Sequence, residues 1–383
     1  MESDSAFKDV FNCGSIIRPT IWGLDNSAIR ILFDYVAKHP EVINLGIGIL
    51  EFPLLTEVKE SAISAIQNNA NVYSPNRGDP ELIRKLCDFY NKELTSQEIG
   101  DKNAMVGIGV SGLLTNVFLS VLDKDDEVMI ADPYFLLYKN IPTFFNAKTQ
   151  PFNEDIDLQD LESKVSDKTK ALIFSNPSNP SGKIYSSNEL KILSDFCNKH
   201  NILMISDEIY HEFDYVNKFE TACNYNPNAL ILRGMSKVDY ASGWRIGYAF
   251  GPEEIINAMI KVQQNISVCA PTPFQKAAIT SLELREKGNA CFKKNLEVIR
   301  SYRDLVVSYL KNNFELKNLD GGIYAYFRKE GLSGGELATK LLEKNVLVVP
   351  SKAFSRDERY VRLCYTNSGG RLEEGLEIIK DAF

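Results

Sequence analysis

Between about residues 104 and 267, short apolar runs alternate with stretches whose apolar residues recur at helical spacing. Runs 128–131, 170–175, 202–205 and 229–232 are too short for helices and predict buried strands. Residues 113–122 predict an apolar helix, and Ser187 is placed to cap another that runs to about His200. Strands alternating with helices imply a mostly parallel sheet covered by helices. Upstream, Asp25-Asn26-Ser27 can cap a helix that ends at Lys38 before Pro40, with Ile29, Leu32, Tyr35 and Val36 as its apolar stripe. Residues 43–48 predict a strand that ends in glycines. Asp79-Pro80 is a cap followed by proline at the first helical position, and Leu82, Leu86, Phe89 and Tyr90 give that helix one apolar face. Downstream, 277–310 reads as one long helix. Short strands at 323–327, 346–349 and 361–365 then mix with helices from Gly334 and from Arg371, which predicts a smaller α+β domain.

A chain of 383 residues exceeds the usual size of a single core, so about two domains are expected. The expected division is an N-terminal segment, 1–48, packing with the small domain, then a large domain, 49–275, and a small C-terminal domain, 276–383. A hydrophobic fraction of 44% is that of a globular protein. No run approaches the roughly 18 apolar residues of a membrane span, and Met1-Glu2-Ser3-Asp4-Ser5 has no signal-peptide character. A net charge of −8 argues against a nucleic-acid surface. Seven dispersed cysteines without a C-x-x-C pair fit a reducing compartment, and the histidines form no metal-binding spacing with them. A soluble cytoplasmic protein with no bound metal is expected.

Three stretches carry candidate chemistry. Lys237 leaves the apolar run 229–232, where a partly desolvated amine can be neutral enough to attack an aldehyde and form a Schiff base. Arg245, eight residues later, suits a phosphate. An aldehyde and a phosphate together suggest pyridoxal phosphate. Asn176-Pro177-Ser178-Asn179-Pro180-Ser181-Gly182 follows another strand, and two Asn-Pro pairs impose a defined turn. Asp207 sits at the carboxyl end of the run 202–205, where α/β sheets bind ligands, and a buried acid there needs a cation such as a protonated ring nitrogen. Against this stands Gly107-Ile108-Gly109-Val110-Ser111-Gly112, a G-x-G-x-x-G loop opening a helix, with Asp132 near the offset of a ribose-binding acid. A nicotinamide or flavin oxidoreductase is therefore a rival reading, although a glycine loop at a helix N-terminus binds any phosphate.

Taken in order, these motifs resemble the fold-type-I pyridoxal phosphate enzymes, specifically the class I/II aminotransferases related to aspartate aminotransferase. The resemblance covers nearly the whole chain. It implies an α/β large domain and a smaller α+β domain. It implies pyridoxal 5′-phosphate as cofactor, an amino acid and a 2-oxo acid as substrates, and a homodimer with shared active sites. Carried onto this sequence, it makes Lys237 the Schiff-base lysine, preceded by Ser236, and Asp207 the acid on the pyridine nitrogen. Tyr210 and Asn179 go to the phenolic oxygen. Gly109, Val110, Ser111 and Arg245 form the phosphate cup, and Phe135 stacks on the ring. Tyr73 reaches the phosphate from the neighbouring subunit. Gly48 and Asn179 border the substrate, and Arg362 grips its α-carboxylate. Three positions depart from the family pattern: Gly234 stands where a serine is usual, Ile49-Leu50-Glu51-Phe52-Pro53 lacks the usual Glu-Pro-Asp, and Ser181 replaces threonine. The scaffold also serves C–S lyases and pyridoxal-phosphate-binding regulators. The latter carry a DNA-binding segment, and no basic helical region precedes residue 40 here.

Overall fold

The apolar runs pair into one seven-stranded sheet in a computed structural model that describes residues 17–22, 35–95, 98–366 and 369–383. Its strands are β2 (Ala104–Ile108), β3 (Glu127–Asp132), β4 (Lys148–Asn153), β5 (Thr169–Ser175), β6 (Leu203–Asp207), β7 (Leu230–Gly234) and β8 (Ile246–Phe250), ordered β2-β8-β7-β6-β5-β3-β4. The sequential preamble β1 (Ile43–Asn44) belongs to a separate two-stranded pairing described below. Within the large sheet only β8 runs antiparallel to its neighbours. The cause is the link Met235–Arg245, which is too short for the crossover that a parallel return requires. Helices Gly109–Val121 and Ser187–His200 cover the sheet, whose central strands are buried along nearly their whole length. The second of these helices starts one residue earlier than its sequence suggests. Ser186 is the cap, because Glu189 returns a bond to the Ser186 backbone and closes a capping box.

The smaller sheet is antiparallel and ordered β12-β13-β10-β9, from β9 (Glu315–Leu316), β10 (Tyr324–Arg328), β12 (Val349–Pro350) and β13 (Val361–Cys364). β1 pairs in parallel with β11 (Val346–Leu347), which ties the N-terminal part of the described chain to the small-sheet side. The strand expected over 43–48 is cut short after Asn44. The Asn44 side chain accepts from the backbone of Gly46 and Ile47, and this turn lifts the chain out of the ladder. The long helix expected over 277–310 is two helices, Thr272–Glu286 and Ala290–Leu310. Gly288 between them has φ +66, and Asn289 caps the second helix. Asp79 caps Pro80–Tyr90 as expected. The helix expected from Asp25 lies outside the described residues except at 35–38, which are helical. No helix among the described residues is long and apolar enough to cross a membrane.

A buried ion pair fixes the junction of β6 and β7. Arg233 donates from Nε and Nη2 to Glu208 Oε2 at 3.0 and 2.8 Å and stacks on the Tyr90 ring. Glu208 Oε1 accepts from Thr221, Ser206 and the Ala222 backbone. Both side chains are fully enclosed and Arg233 also donates to Glu93 at 2.8 Å, so it is the loss of Arg233 that strands a buried charge, on Glu208. Arg233→Met is expected to lower unfolding stability by about 3–5 kcal/mol. Urea unfolding checks this, with the paired replacement Arg233→Met/Glu208→Leu expected to recover much of the loss.

Candidate active site

The carboxyl ends of β2, β3, β5, β6 and β7 meet the start of β8 at one edge of the sheet, the position where α/β sheets hold ligands. A cavity of about 280 Å³ opens there. Asp207 ends β6 and lies on its wall, 3% exposed. Its carboxylate accepts from Tyr138 Oη at 2.6 Å and from the Ile209 backbone at 3.2 Å. No lysine or arginine is bonded to it among the described residues. Burial pushes its pKa up to about 6, against the lowering effect of those hydrogen bonds. The adjacent Glu208 points the other way, into the Arg233 pair. One acid is thus neutralised inside the protein and its neighbour is left open to the cavity.

Lys237 rises from the short helix Met235–Val238 that β7 runs into. Its Nζ donates to the Gly48 carbonyl at 2.6 Å and lies 5.7 Å from the centre of the Tyr210 ring. Gly48 belongs to the strap that follows β1. A Cβ on Gly48 would collide with the Tyr324 hydroxyl, so the strap can approach only as glycine.

An anion cup forms across β2 and β8. Arg245 donates to Ser111 Oγ at 2.8 Å and to the Ser242 carbonyl at 2.9 Å. Gly109 opens helix Gly109–Val121 at φ +63, and a Cβ there would lie 2.5 Å from the Arg245 guanidinium. That helix has no side-chain cap at its N-terminus, so its first N–H groups and the guanidinium face the same space. At Gly234, the departure noted above, a Cβ would meet the Ile246 carbonyl at 2.7 Å, so the close contact of β7 with β8 occupies the room a serine would need.

The third corner joins the two sheets. Arg362, on β13, is 3% exposed and sandwiched between the Tyr324 and Phe354 rings, 4.3 Å from each. It donates to Asn179 Oδ1 at 3.1 Å and to the Gly46 carbonyl at 3.0 Å. No carboxylate is bonded to it among the described residues, and its Nε is buried without a partner. A buried guanidinium so placed suits an incoming carboxylate.

Of the residues singled out in the sequence, Gly48, Val110, Ser111, Phe135, Asn179, Asp207, Tyr210, Ser236, Lys237, Arg245 and Arg362 border this cavity, and Gly109 underlies Arg245. Tyr73 does not; it is 81% exposed. Tyr138 and Tyr324 border the cavity without having been anticipated. Tyr138 sits three residues past Phe135 on helix Leu136–Thr143, a spacing that could have flagged it; Tyr324, bonded to Tyr210 Oη at 3.2 Å, lies in an apolar strand that gives no such signal. The dinucleotide reading fails on sheet order. β2, with the glycine loop, is separated from β3 by four strands, on the order of 24 Å at about 4.8 Å per spacing. Asp132 is occupied by Ser355 and Arg356, at 2.5 and 2.9 Å.

The family model for aminotransferase class I and II matches residues 40–379. The chain is 33% identical over 373 residues to a probable aspartate aminotransferase of Methanocaldococcus jannaschii, covering 93% of this chain and 97% of the relative. It is 34% identical over 351 residues to the (5-formylfuran-3-yl)methyl phosphate transaminase of the same organism, covering 90% of this chain and 92% of the relative. The aspartate aminotransferase of Thermus thermophilus solved with maleate superposes with a TM-score of 0.91 at 26% identity, over 96% of this chain and 99% of that one.

The raised pKa of Asp207 has a stability consequence in protein stripped of any cofactor. The folded state holds this proton more tightly than the unfolded chain, so the group's contribution is full below about pH 4 and is lost as pH rises through about 6. The loss amounts to about 3 kcal/mol. Asp207→Asn is expected to flatten the fall between pH 4 and 7, as read from urea midpoints across that range.

Proposed function

We propose, from the premise that this chain belongs to the class I and II aminotransferases, that Lys237, Asp207, Arg245 and Arg362 divide the work of a pyridoxal-phosphate transaminase among them. The reaction moves an amino group between an amino acid and a 2-oxo acid. One observation carries the assignment: a buried acid and a buried arginine, to which no cation and no carboxylate respectively are bonded among the described residues, flank a lysine in a single cavity. The donor set fits the cofactor at three points. Asp207 suits a protonated ring nitrogen, the Arg245–Ser111 cup at the open helix N-terminus suits a phosphate, and Lys237 suits an aldehyde.

Pyridoxal phosphate supplies an aldehyde that captures amines and a ring that draws electrons from the substrate's Cα–H bond. The protein's residues do the rest. Arg362 binds the α-carboxylate with its planar fork, and Asn179 and the Gly46 carbonyl hold that fork in one orientation. Lys237 carries the proton to and from the substrate Cα as base and acid. Asp207, whose carboxylate accepts from Tyr138, would hold the cofactor's protonated ring nitrogen. Tyr210, its hydroxyl bonded to Tyr324, would hold the phenolic oxygen. Val110, Phe135 and Ser236, which line the cavity, would wall the cofactor.

The protein works as a cytoplasmic two-fold dimer in which Tyr73 serves the partner's site, and its large domain spans 49–275. Support for the dimer comes from the surface: Ile63, Ile66, Val72 and Tyr73 are all exposed within one short stretch, and Tyr73 does not line its own cavity.

Lys237→Ala is expected to retain the cofactor noncovalently and to lose about 10²–10⁴-fold in the rate of Cα-proton transfer. Borohydride reduction of the unmodified protein should fix the cofactor on Lys237, and label on another lysine refutes the assignment. A panel of amino donors with the products identified separates the two chemistries: 2-oxo acid with amino group retained marks transamination, whereas free ammonia marks elimination. For the dimer, Tyr73→Ala and Lys237→Ala subunits, each shown to be impaired alone, should regain up to about half the activity of one normal dimer on mixing, since one site per mixed dimer is intact. Demonstrated subunit exchange without recovery rejects the shared site.

A further inference from the structure

The Asn-Pro loop carries two hydroxyls that none of these roles uses. Ser181 Oγ donates to Glu154 Oε2 at 2.6 Å, and Ser178 Oγ donates to the same oxygen at 3.2 Å. Glu154 follows β4, is 2% exposed and does not border the cavity. The nearest cation serves other groups: Lys183 Nζ donates to the Glu154 backbone carbonyl at 2.6 Å and pairs with Asp155 at 2.9 Å and Glu189 at 2.6 Å. Among the described residues, the hydrogen bonds to the Glu154 carboxyl are those from the loop. Burial pushes that carboxyl up to about 7, a cost that a purely space-filling side chain would not carry.

The loop is anchored by backbone bonds from Asn176 N to Asp207 O at 2.9 Å and from Ser178 N to Lys183 O at 2.8 Å, and Gly182 N to Ser178 O at 2.9 Å closes the turn that the two serine–Glu154 bonds reinforce. Between Ser178 and Ser181 lies Asn179, whose Oδ1 accepts from Arg362. We propose that Glu154 is a positioning residue for substrate-carboxylate recognition: by holding Ser178 and Ser181 together it fixes the turn that presents Asn179 to the Arg362 fork. The proposal rests on reading Arg362 as the carboxylate-binding residue. It also gives Ser181 a task that any hydroxyl can perform, which accounts for serine standing where threonine is commoner.

Glu154 acts through Asn179 and Arg362, not on Cα, so its loss weakens substrate binding and spares the proton transfer. The experiment is single turnover of the holoenzyme with the amino acid that reacts fastest with the unmodified protein, followed at the cofactor's visible band over a range of concentrations. Glu154→Ala is expected to raise the apparent Kd about tenfold or more while the limiting rate changes less than about threefold. Cofactor retention on gel filtration should stay unchanged. Glu154→Gln, which keeps an acceptor in place, should bring the Kd back to within about threefold of the unmodified value. If Glu154→Ala does not fold, Ser181→Ala decides, with the same expected rise in Kd. An unchanged Kd in the folded variant, or a fall in limiting rate and cofactor retention equal to the change in Kd, overturns the proposal. Arg362→Lys in the same assay separates the two readings: if it leaves Kd unaltered, the carboxylate assignment itself fails, and if it raises Kd while Glu154→Ala does not, only the role of Glu154 fails.

Discussion

Two adjacent acids on one strand end meet opposite fates, and the site depends on that division. Glu208 is absorbed by Arg233, Thr221 and the Ala222 backbone, a closed network that locks β6 to β7. Asp207, one residue earlier, receives among the described residues a tyrosine hydroxyl and one backbone N–H. The network behind the sheet pins the strand against any shift that would let Asp207 find relief elsewhere. An unneutralised carboxyl in a buried wall is costly, and that cost falls when a cation arrives from the cavity. Binding can thus draw on electrostatic free energy held in the folded protein.

Arg362 has the complementary problem and comes from a different part of the molecule. Its strand belongs to the small sheet, Asn179 to a loop of the large sheet, and Gly46 to the strap after β1. A carboxylate at this guanidinium would therefore be read by three segments of the chain at once. The Asp207 and Arg245 corners, by contrast, are both built on the large sheet.

The sequence made the large sheet legible because its strands are buried on both faces and read as unbroken apolar runs. The cavity residues were legible for another reason: Lys237 and the Asn-Pro loop sit just past strand ends, Asp207 ends its strand and Arg245 immediately precedes one, so each stands out against a neighbouring apolar run. What stayed hidden were features made by long-range contact or by one local override. Tyr324 is an ordinary strand aromatic until β10 brings it under Arg362. The Asn44 turn and the Gly288 break interrupt patterns whose apolar periodicity continues across them. Asp132 matched a spacing rule along the chain, and only strand order revealed that it lies far from the glycine loop.

The brief antiparallel return from β7 to β8 has a further effect. It tethers Lys237 and Arg245 within one short link whose two ends are clamped in neighbouring strands of the same sheet. The amine and the guanidinium are consequently carried on one short segment of chain, so a ligand with an amine-reactive group and an anionic group is met at both by the same link.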